Sequence, residues 1–143
     1  MPLNNFSVGH DLQLTVVTGS GPLVLNLVTE FQSKQDVTKV KSKGMDGITR
    51  NVNFPDGWSG SIMLDRRNST IDDYFAQLEA DYFNGIQHSS VNLTQTITEV
   101  NGSVSQYRYT KVVFDFEDAG SWAGDKLVKQ KLGFVAEKRI KLA

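Results

Sequence analysis

The fold of this chain is decided by a strand, a helix and a second strand near its middle. The first strand and the turn before it read Asp56-Gly57-Trp58-Ser59-Gly60-Ser61-Ile62-Met63-Leu64-Asp65. The Thr-rich strand after the helix reads Val91-Asn92-Leu93-Thr94-Gln95-Thr96-Ile97-Thr98. A single amphipathic helix is predicted between them, from about Thr70 to Asn84, and the other patterned segments alternate as β-strands do. We therefore expect a mainly β domain with one helix.

The helix is predicted from an apolar stripe and from its end signals. Ser69 and Thr70 each have an aspartate three residues later, which is capping-box spacing, and Asn84-Gly85 ends the helix. The stripe recurs at helical spacing and should form a core contact across a sheet; it comprises Ile71, Tyr74, Phe75, Leu78, Tyr82 and Phe83. The opposite side should be an acidic solvent face, made of Asp72, Asp73, Gln77, Glu79, Ala80 and Asp81.

The strands before and after the helix are predicted from alternation and turn residues. Residues 11–17 alternate, 18–21 form a turn, and the return strand places Leu23, Leu25, Leu27 and Phe31 inward, so the first thirty residues should be a hairpin. Three later strands are expected at about 90–99, 103–116 and 126–140, with a tight turn at Asn101-Gly102.

The later strands are each expected to have one apolar face. One face of the second should carry Arg108, Thr110, Val112, Phe114 and Phe116, and one face of the third should carry Val128, Leu132, Phe134 and Ala136. The opposite, polar faces should carry Tyr107, Tyr109, Lys111, Lys129, Lys131 and Glu137. A two-sheet β-sandwich or flattened barrel with a flanking helix accounts for this pattern.

Residues 33–53 have strand propensity but too few apolar residues for a core position. Two interpretations remain open at this point: a disordered surface loop, or a long protruding β-hairpin that becomes ordered only against another subunit. Lys39, Lys41 and Lys43 have strand spacing and would form one charged stripe if the segment is extended.

Composition sets broad limits on the class of protein. The 143 residues include 15 Lys and Arg, 16 Asp and Glu, and no cysteine. The balanced charge does not favour nucleic-acid binding, and the lack of cysteine excludes disulfides and thiolate catalysis. Residues 1–5 do not resemble a secretory signal, and no apolar run approaches the ~18 residues that span a bilayer. We expect one soluble domain over residues 1–143, made in the cytoplasm, with no membrane anchor.

No catalytic or metal site is indicated by the sequence. Gly57-Trp58-Ser59-Gly60-Ser61 lacks the last glycine of a nucleophile elbow, and only His10 and His88 could supply a histidine. The carboxylates near the helix lack the spacing and glycine of a calcium loop; they are Asp65, Asp72, Asp73, Glu79 and Asp81. We therefore expect no enzyme activity, no cofactor and no metal.

The chain resembles the tail tube proteins of contractile and long-tailed bacteriophages. The resemblance rests on Gly57-Trp58-Ser59-Gly60-Ser61 before a strand, the helix over 71–83, the strand over 91–100 and the hairpin Asn101-Gly102-Ser103-Val104. It continues through Tyr107-Arg108-Tyr109, the stretch over 118–125 and the closing strand with Gln130, Leu132, Phe134 and Ala136. It covers most of the chain from Gly44 onward, and the order of the elements is more specific than any one motif.

The resemblance implies a structural virion protein of the phage tail, assembled in the bacterial host cytoplasm. Its partners would be further copies of itself in stacked hexameric rings, the tail sheath, baseplate and tail-terminator proteins, and double-stranded DNA that passes through the lumen without sequence-specific binding. Residues 33–53 would contact neighbouring subunits through Lys34, Val37, Lys39, Val40, Lys41, Lys43, Met45, Ile48 and Arg50. The lumen-facing candidates are Asn92, Thr94, Thr96 and Thr98.

Three alternatives are weighed against the phage tube. A tube protein of a contractile bacteriocin or a type VI secretion system shares the family fold. A monomeric carbohydrate- or peptide-binding β-sandwich would use exposed aromatic side chains such as Trp58, Tyr107 or Trp122. A small hydrolase is the weakest alternative, because the sequence offers no credible triad or metal set.

Overall fold

The computed structural model describes residues 12–19, 21–23, 25, 27–87 and 91–143. The predictions for His10, His88 and Ser90 fall outside these residues, and the side chain of Leu27 is likewise not described. The described part contains eight strands and one helix: β1 Leu12–Thr18, β2 Gly21–Leu23, β3 Leu27–Lys43, β4 Thr49–Asp65, α1 Thr70–Phe83, β5 Val91–Thr98, β6 Val104–Asp118, β7 Lys129–Ala136 and β8 Lys138–Lys141. The predicted mainly β fold with one helix is confirmed.

The strands form two antiparallel sheets that share β6. The first sheet contains β2, β1, β5, the first part of β6 and β8, whereas the second contains the last part of β6 followed by β7, β4 and β3. β6 pairs with β5 and β8 up to Val112 and with β7 from Val113 onward. The two layers are therefore continuous through one long strand, as in orthogonally packed sheets whose corners are made by bent strands.

The corner between the sheets lies at Lys111 and Glu137. Lys111 has a φ of 50°, in the left-handed region that non-glycine residues rarely occupy. Glu137 separates β7 from β8, donates its N–H to the Thr110 carbonyl at 2.9 Å and pairs through its carboxylate with the Lys111 ammonium at 3.4 Å. Both strands thus turn together and keep their antiparallel pairing on either side of the corner.

The corner overturns the predicted face assignment of β6. Tyr109 is fully buried and Tyr107 half-buried, whereas Arg108 is exposed, so the tyrosines and not Arg108 point inward in the first half of the strand. After the bend at Lys111 the inward positions become Val112, Phe114 and Phe116, as predicted for that half alone. Because side chains alternate with a period of two, one irregular residue moves every later side chain to the other face.

The first hairpin is also shorter than predicted. β2 has only three residues and pairs Leu23 with Val16, and the chain then moves to the second sheet. β3 starts at Leu27 and pairs with β4, where Phe31 stacks on Phe134 with ring centroids 5.8 Å apart. β1 and β2 therefore belong to the first sheet, whereas β3 belongs to the second, where Phe31 makes its aromatic contacts.

Tyr109 connects the two sheets at the centre of the core. Its ring lies edge-on to Phe31, Trp58 and Phe134, with centroids 5.5 to 6.4 Å apart. Its hydroxyl donates to the Gln95 side-chain carbonyl at 3.1 Å and accepts from the Ser33 hydroxyl at 3.0 Å. A buried hydroxyl that is satisfied from both sheets fixes their relative position as well as filling volume.

The Gly-Trp-Ser-Gly motif shapes β4 where it crosses β3 and β7. Gly57 has a φ of 91° and stands at a break in the β3–β4 register. A Cβ at Gly60 would collide with the Gln32 backbone carbonyl and lie 2.8 Å from the Phe134 ring. The motif is therefore built for close backbone approach rather than for a nucleophile.

The helix is anchored mainly at its first half. Ile71 is fully buried, and Phe75 stacks on Phe116 with centroids 4.6 Å apart, while Tyr74 and Leu78 are half-buried. Burial raises the pKa of Tyr74. Tyr82 and Phe83 are each 76% exposed, so the expectation that the entire stripe is core is not met in a single chain.

The acidic side of the helix was wrongly predicted to be only a solvent face. Asp72 accepts hydrogen bonds from Arg66 at 2.9 Å and from the buried Gln130 at 2.8 Å, which ties the helix start to β7. Asp81 is buried and accepts from Gln77. These polar contacts follow from the neighbouring strand, which periodicity along the helix cannot reveal.

The helix ends are only partly as predicted. The Ser69 hydroxyl bonds the Asp73 carboxylate at 3.0 Å instead of a backbone N–H, so no capping box forms. At the other end, Gly85 has a φ of 74° and Ile86 donates its N–H to the Asp81 carbonyl at 2.9 Å. This is a Schellman motif, as expected from Asn84-Gly85.

We predict that Gly60→Ala destabilises the domain by about 1–3 kcal/mol or more, because the new methyl group must displace the Gln32 carbonyl or the Phe134 ring. Gly124→Ala is the matched control, since a Cβ there meets nothing within 4 Å. Urea unfolding of both variants measures the difference. Equal stabilities would show that the strands at Gly60 are not closely packed.

Candidate assembly surfaces

Residues 37–55 form a two-stranded ribbon, the outer part of the β3–β4 hairpin. β4 pairs with β7 only from Trp58 onward, so among the described strands Val37–Lys43 and Thr49–Pro55 pair only with each other. From Val37 to Lys43 the ribbon extends about 20 Å at the usual rise of a strand. Almost every residue in it is exposed. Of the two interpretations left open by the sequence, the structure has the extended hairpin.

The ribbon has one basic face and one apolar face. The register places Lys39 opposite Asn53 and Lys41 opposite Asn51, and Lys43 lies on the same face. This basic face makes no ion pair with any described residue. Val40 lies opposite Val52 on the other face, which also includes Phe54. These three apolar side chains are 47 to 53% exposed and constitute the apolar face.

The apolar and polar faces of the ribbon are exchanged relative to the sheet from which it extends. In the body of β3, Phe31 and Ser33 point toward the core, and the same alternation continues into Lys39, Lys41 and Lys43. The apolar face consequently continues the outer side of the second sheet, directed away from the domain's own core. A single chain cannot cover it without bending the ribbon back.

The tip of the ribbon is an ordered turn. Asp46 pairs with the Arg50 guanidinium at 2.9 Å and accepts a hydrogen bond from the Ile48 N–H at 3.0 Å, and these two contacts, the first above all, hold the pKa of Asp46 below its ordinary value. Gly47 takes a φ of 81°. Met45 and Ile48 project from this turn and are exposed. The tip therefore presents apolar side chains on a defined backbone.

The predicted inter-subunit residues occupy several parts of this hairpin. Val37, Lys39, Lys41 and Lys43 share the basic side, Val40 and Arg50 the opposite side, and Met45 and Ile48 the tip. Lys34 lies nearer the body, in a shallow depression on the outer face of the second sheet with Ser61 and Asp115. Val52 and Phe54 were not among the predicted contact residues, because only the pairing of residues 40 and 52 reveals them.

The lumen candidates occupy one outer face of the first sheet. Asn92, Thr94, Thr96 and Thr98 alternate with the more buried side of β5. Thr94 lies between Thr15 of β1 and Arg108 of β6, and Gln106 donates to the Thr96 hydroxyl at 3.3 Å. This face is hydroxyl- and amide-rich. Arg108, which the sequence analysis placed on an inner face, adds a positive charge to it.

An open groove lies between α1 and the last part of β6. It has a volume of about 670 Å³ and an aromatic floor that includes Phe75, Phe114 and Phe116. Tyr82 and Phe83 line its far end, and Asp72, Glu79 and Asp115 give it an acidic rim. Sequence reasoning missed it because the outer residues of the helix stripe were assigned to the core.

A second cluster surrounds Arg139, whose guanidinium stacks on the Tyr107 ring at 3.7 Å and lies 4.9 Å from the Trp58 ring. Trp58 and Tyr107, which a binding module would use to stack on a ligand, are here half-buried against this arginine. Trp122 remains 71% exposed with Arg66 above its ring. The rings of Trp58 and Tyr107 are thus already in contact with a side chain of their own chain.

No group of three or more metal-ligating side chains occurs within the described residues. None of the helices described there has the length and hydrophobicity required to cross a membrane.

Several solved structures are similar in fold to this chain over nearly its whole length. The chain is similar, at TM-score 0.64 and 11% identity, to a chain in an extracellular contractile injection system, the PVC sheath/tube terminator in its extended state; the match covers 100% of this chain and 96% of the other. The fold is a tail-tube-type fold. A chain of the PVC sheath–tube complex matches at TM-score 0.63 and 12% identity, over 99% and 94% of the two chains.

A third match comes from the tail of an empty GTA particle with C6 symmetry, at TM-score 0.60 and 10% identity, over 96% of this chain and 100% of the other. No protein-family model and no curated protein matches the sequence. The fold implied by the resemblance to tail tube proteins is thus confirmed, over essentially the whole chain, although the sequences have diverged widely.

We predict that replacing Val40 and Val52 by serine changes the unfolding free energy of the monomer by less than about 0.5 kcal/mol, because both side chains are already exposed. Val16→Ser is the matched control: Val16 is fully buried, and the same change there should cost about 2–4 kcal/mol. Chemical denaturation of dilute protein measures both. A large loss for the ribbon variant would mean that the chain covers its own apolar face.

Proposed function

We propose that the chain is a structural protein of a phage-tail-like assembly, in which six copies form a ring and stacked rings form the inner tail tube. The tube is the conduit for ejection of the genome, and the protein has no enzymatic role. The observation that carries the proposal is the ribbon, whose apolar face is directed away from the domain that bears it. The full-length likeness to chains of contractile injection systems and of a six-fold symmetric tail supports it.

The ribbon argues for assembly because its exposed surface is costly for a monomer. Val40, Val52 and Phe54, together with Met45 and Ile48 at the tip, expose apolar area on a segment whose two outer strand edges pair with no described strand. Soluble monomers avoid such edges because they promote association. In a closed ring or a stack of rings, neighbouring copies can cover both the apolar face and the edges.

The partners follow from this role. We assign lateral and axial contacts to further copies of the chain, outer contacts to sheath, baseplate and tail-terminator proteins, and the lumen to double-stranded DNA without base-specific contacts. Assembly would take place in the host cytoplasm and yield a virion tail. The face with Asn92, Thr94, Thr96 and Thr98 suits a lumen, because these neutral polar groups hydrate well but do not hold phosphates as cations do, although Arg108 adds one positive charge per copy to it.

A terminating ring is the second candidate. Among the similar structures, one is described as a sheath/tube terminator and another as a tube-terminating cap. A terminator would form a single ring and stop, whereas a tube protein would polymerise. The third candidate is the tube protein of a contractile system that is not a phage. Such a tube would have the same architecture as a phage tail tube and would carry a different cargo.

We predict that the purified protein forms six-fold rings or hollow tubes at high concentration, visible by electron microscopy. Long tubes support the tube protein, and isolated rings support the terminator.

To test the role of the ribbon, residues 40–52 are replaced by Asn-Gly, which joins the paired Lys39 and Asn53 through a tight turn. This variant should stay folded, with an unchanged circular dichroism spectrum, and should not stack. If it forms tubes as long as those of the parent chain, the ribbon has no stacking role.

We predict that changing Thr94 and Thr96 to lysine leaves assembly intact and slows genome ejection, because twelve added cations per ring, two in each of six copies, would retain the DNA phosphates. Changing both residues to serine is the control for the substitution itself. Ejection is timed by release of labelled DNA from assembled particles. Unchanged ejection in the lysine variant would contradict the assignment of this face to the lumen.

A further inference from the structure

The groove between α1 and β6 is an incomplete packing site. Its floor is formed by Phe75, Phe114 and Phe116, yet Tyr82 and Phe83 at its far end remain 76% exposed. Aromatic side chains of this size contribute most when a partner removes them from water. The groove is therefore shaped for an apolar occupant that the described residues do not provide.

The rim of the groove selects a basic occupant. Of the described residues that line it, three are carboxylates and none is a lysine or arginine. Asp72 is already paired with Arg66, but Glu79 and Asp115 make no ion pair with any described residue. An occupant with apolar side chains and accompanying cations would satisfy both the floor and the rim.

The ribbon has this combination of properties. Its residues 37–55 contain four cations, Lys39, Lys41, Lys43 and Arg50, against Asp46, which gives a charge of 4 − 1 = +3. The cations of the basic face lie on the opposite side of the two strands from the apolar face, which consists of Val40, Val52 and Phe54. Met45 and Ile48 extend from the tip. None of the described residues that line the groove belongs to the ribbon, so a ribbon bound there would have to come from another copy.

We propose that the α1–β6 groove of one copy receives the ribbon of a second copy, with the tip and apolar face on Tyr82 and Phe83 and the lysines near Glu79 and Asp115. This inference rests on the proposed assembly and identifies the surface that the ribbon contacts. The edge of β6 adds a further contact: among the described strands Val113–Asp118 pairs only with β7, so the opposite edge has free backbone groups facing the groove side.

Disulfide trapping tests the contact cleanly, because the chain has no cysteine. Chains with Met45→Cys are mixed with chains with Phe83→Cys, assembled and oxidised, and the linked peptides are identified by mass spectrometry. We expect links between positions 45 and 83 in assembled material, at least about tenfold more than after dissociation. Chains with Val104→Cys, an exposed position of the first sheet, are the matched control and should link to position 45 only at background level.

Charge reversal gives an independent readout. Glu79→Lys with Asp115→Lys should raise the concentration needed for assembly by roughly tenfold, since like charges would then oppose each other across the contact. Both residues are exposed, so the melting temperature of the monomer should change little. Adding Lys39→Glu and Lys41→Glu to the same chain should restore assembly.

The outcomes separate this inference from the proposed function. If rings or tubes form but position 45 links no better to 83 than to 104, or the lysine variant assembles normally, the groove does not receive the ribbon and the tube proposal stands. If position 83 can still be labelled within finished tubes, the groove likewise does not receive the ribbon, and it is free to bind a different protein. If the parent chain does not assemble, both proposals fall.

Discussion

Lys111 and Glu137 face each other at the point where β6 and the β7–β8 segment turn together from one sheet into the other. This corner lets a single strand contribute Tyr109 to the first half of the core and Val112 to the second. If β6 kept one alternation throughout, one of these residues would face solvent. A left-handed residue costs on the order of 1–2 kcal/mol, and burial of a large side chain offsets it. Both the sandwich and the inner aromatic cluster depend on this bend.

Much of the fold was predictable because it depends on local signals. The alternation of β5 and β7, the turn at Asn101-Gly102 and the end of the helix at Gly85 are properties of short segments, and all are present. The face assignment of β6 failed because Lys111 carries no sequence signal of a bulge; glycine or asparagine would have given one. The anchoring of α1 through Gln130 and Asp72 was equally invisible, since it joins positions far apart in sequence.

The candidate surfaces were predictable only where they depend on the sequence of a single strand. The charged stripe of Lys39, Lys41 and Lys43 can be read from one strand alone. The apolar face cannot, because it appears only when Val40 is paired with Val52. The groove required still more, namely the position of the helix relative to β6 and the exposure of Tyr82 and Phe83. Sequence patterns therefore indicated which segment projects, whereas the register and the packing define which sides of it can bind.

The register break at Gly57 brings the apolar residues in the outer part of β4 onto one face of the ribbon. It adds one residue to β4, so that the even-numbered residues of β4, which point inward at Ile62 and Leu64, point outward in the ribbon at Val52 and Phe54, on the same face as Val40. The three lysines then have two consequences. Before assembly their mutual repulsion and hydration oppose uncontrolled pairing of the free ribbon edges, as charges on natural edge strands do. In an assembly the same charges favour an acidic surface over other apolar surfaces.

A monomeric binding module would gain nothing from such a segment. It would bear the free-energy cost of the exposed Val40, Val52 and Phe54 without a partner that covers them.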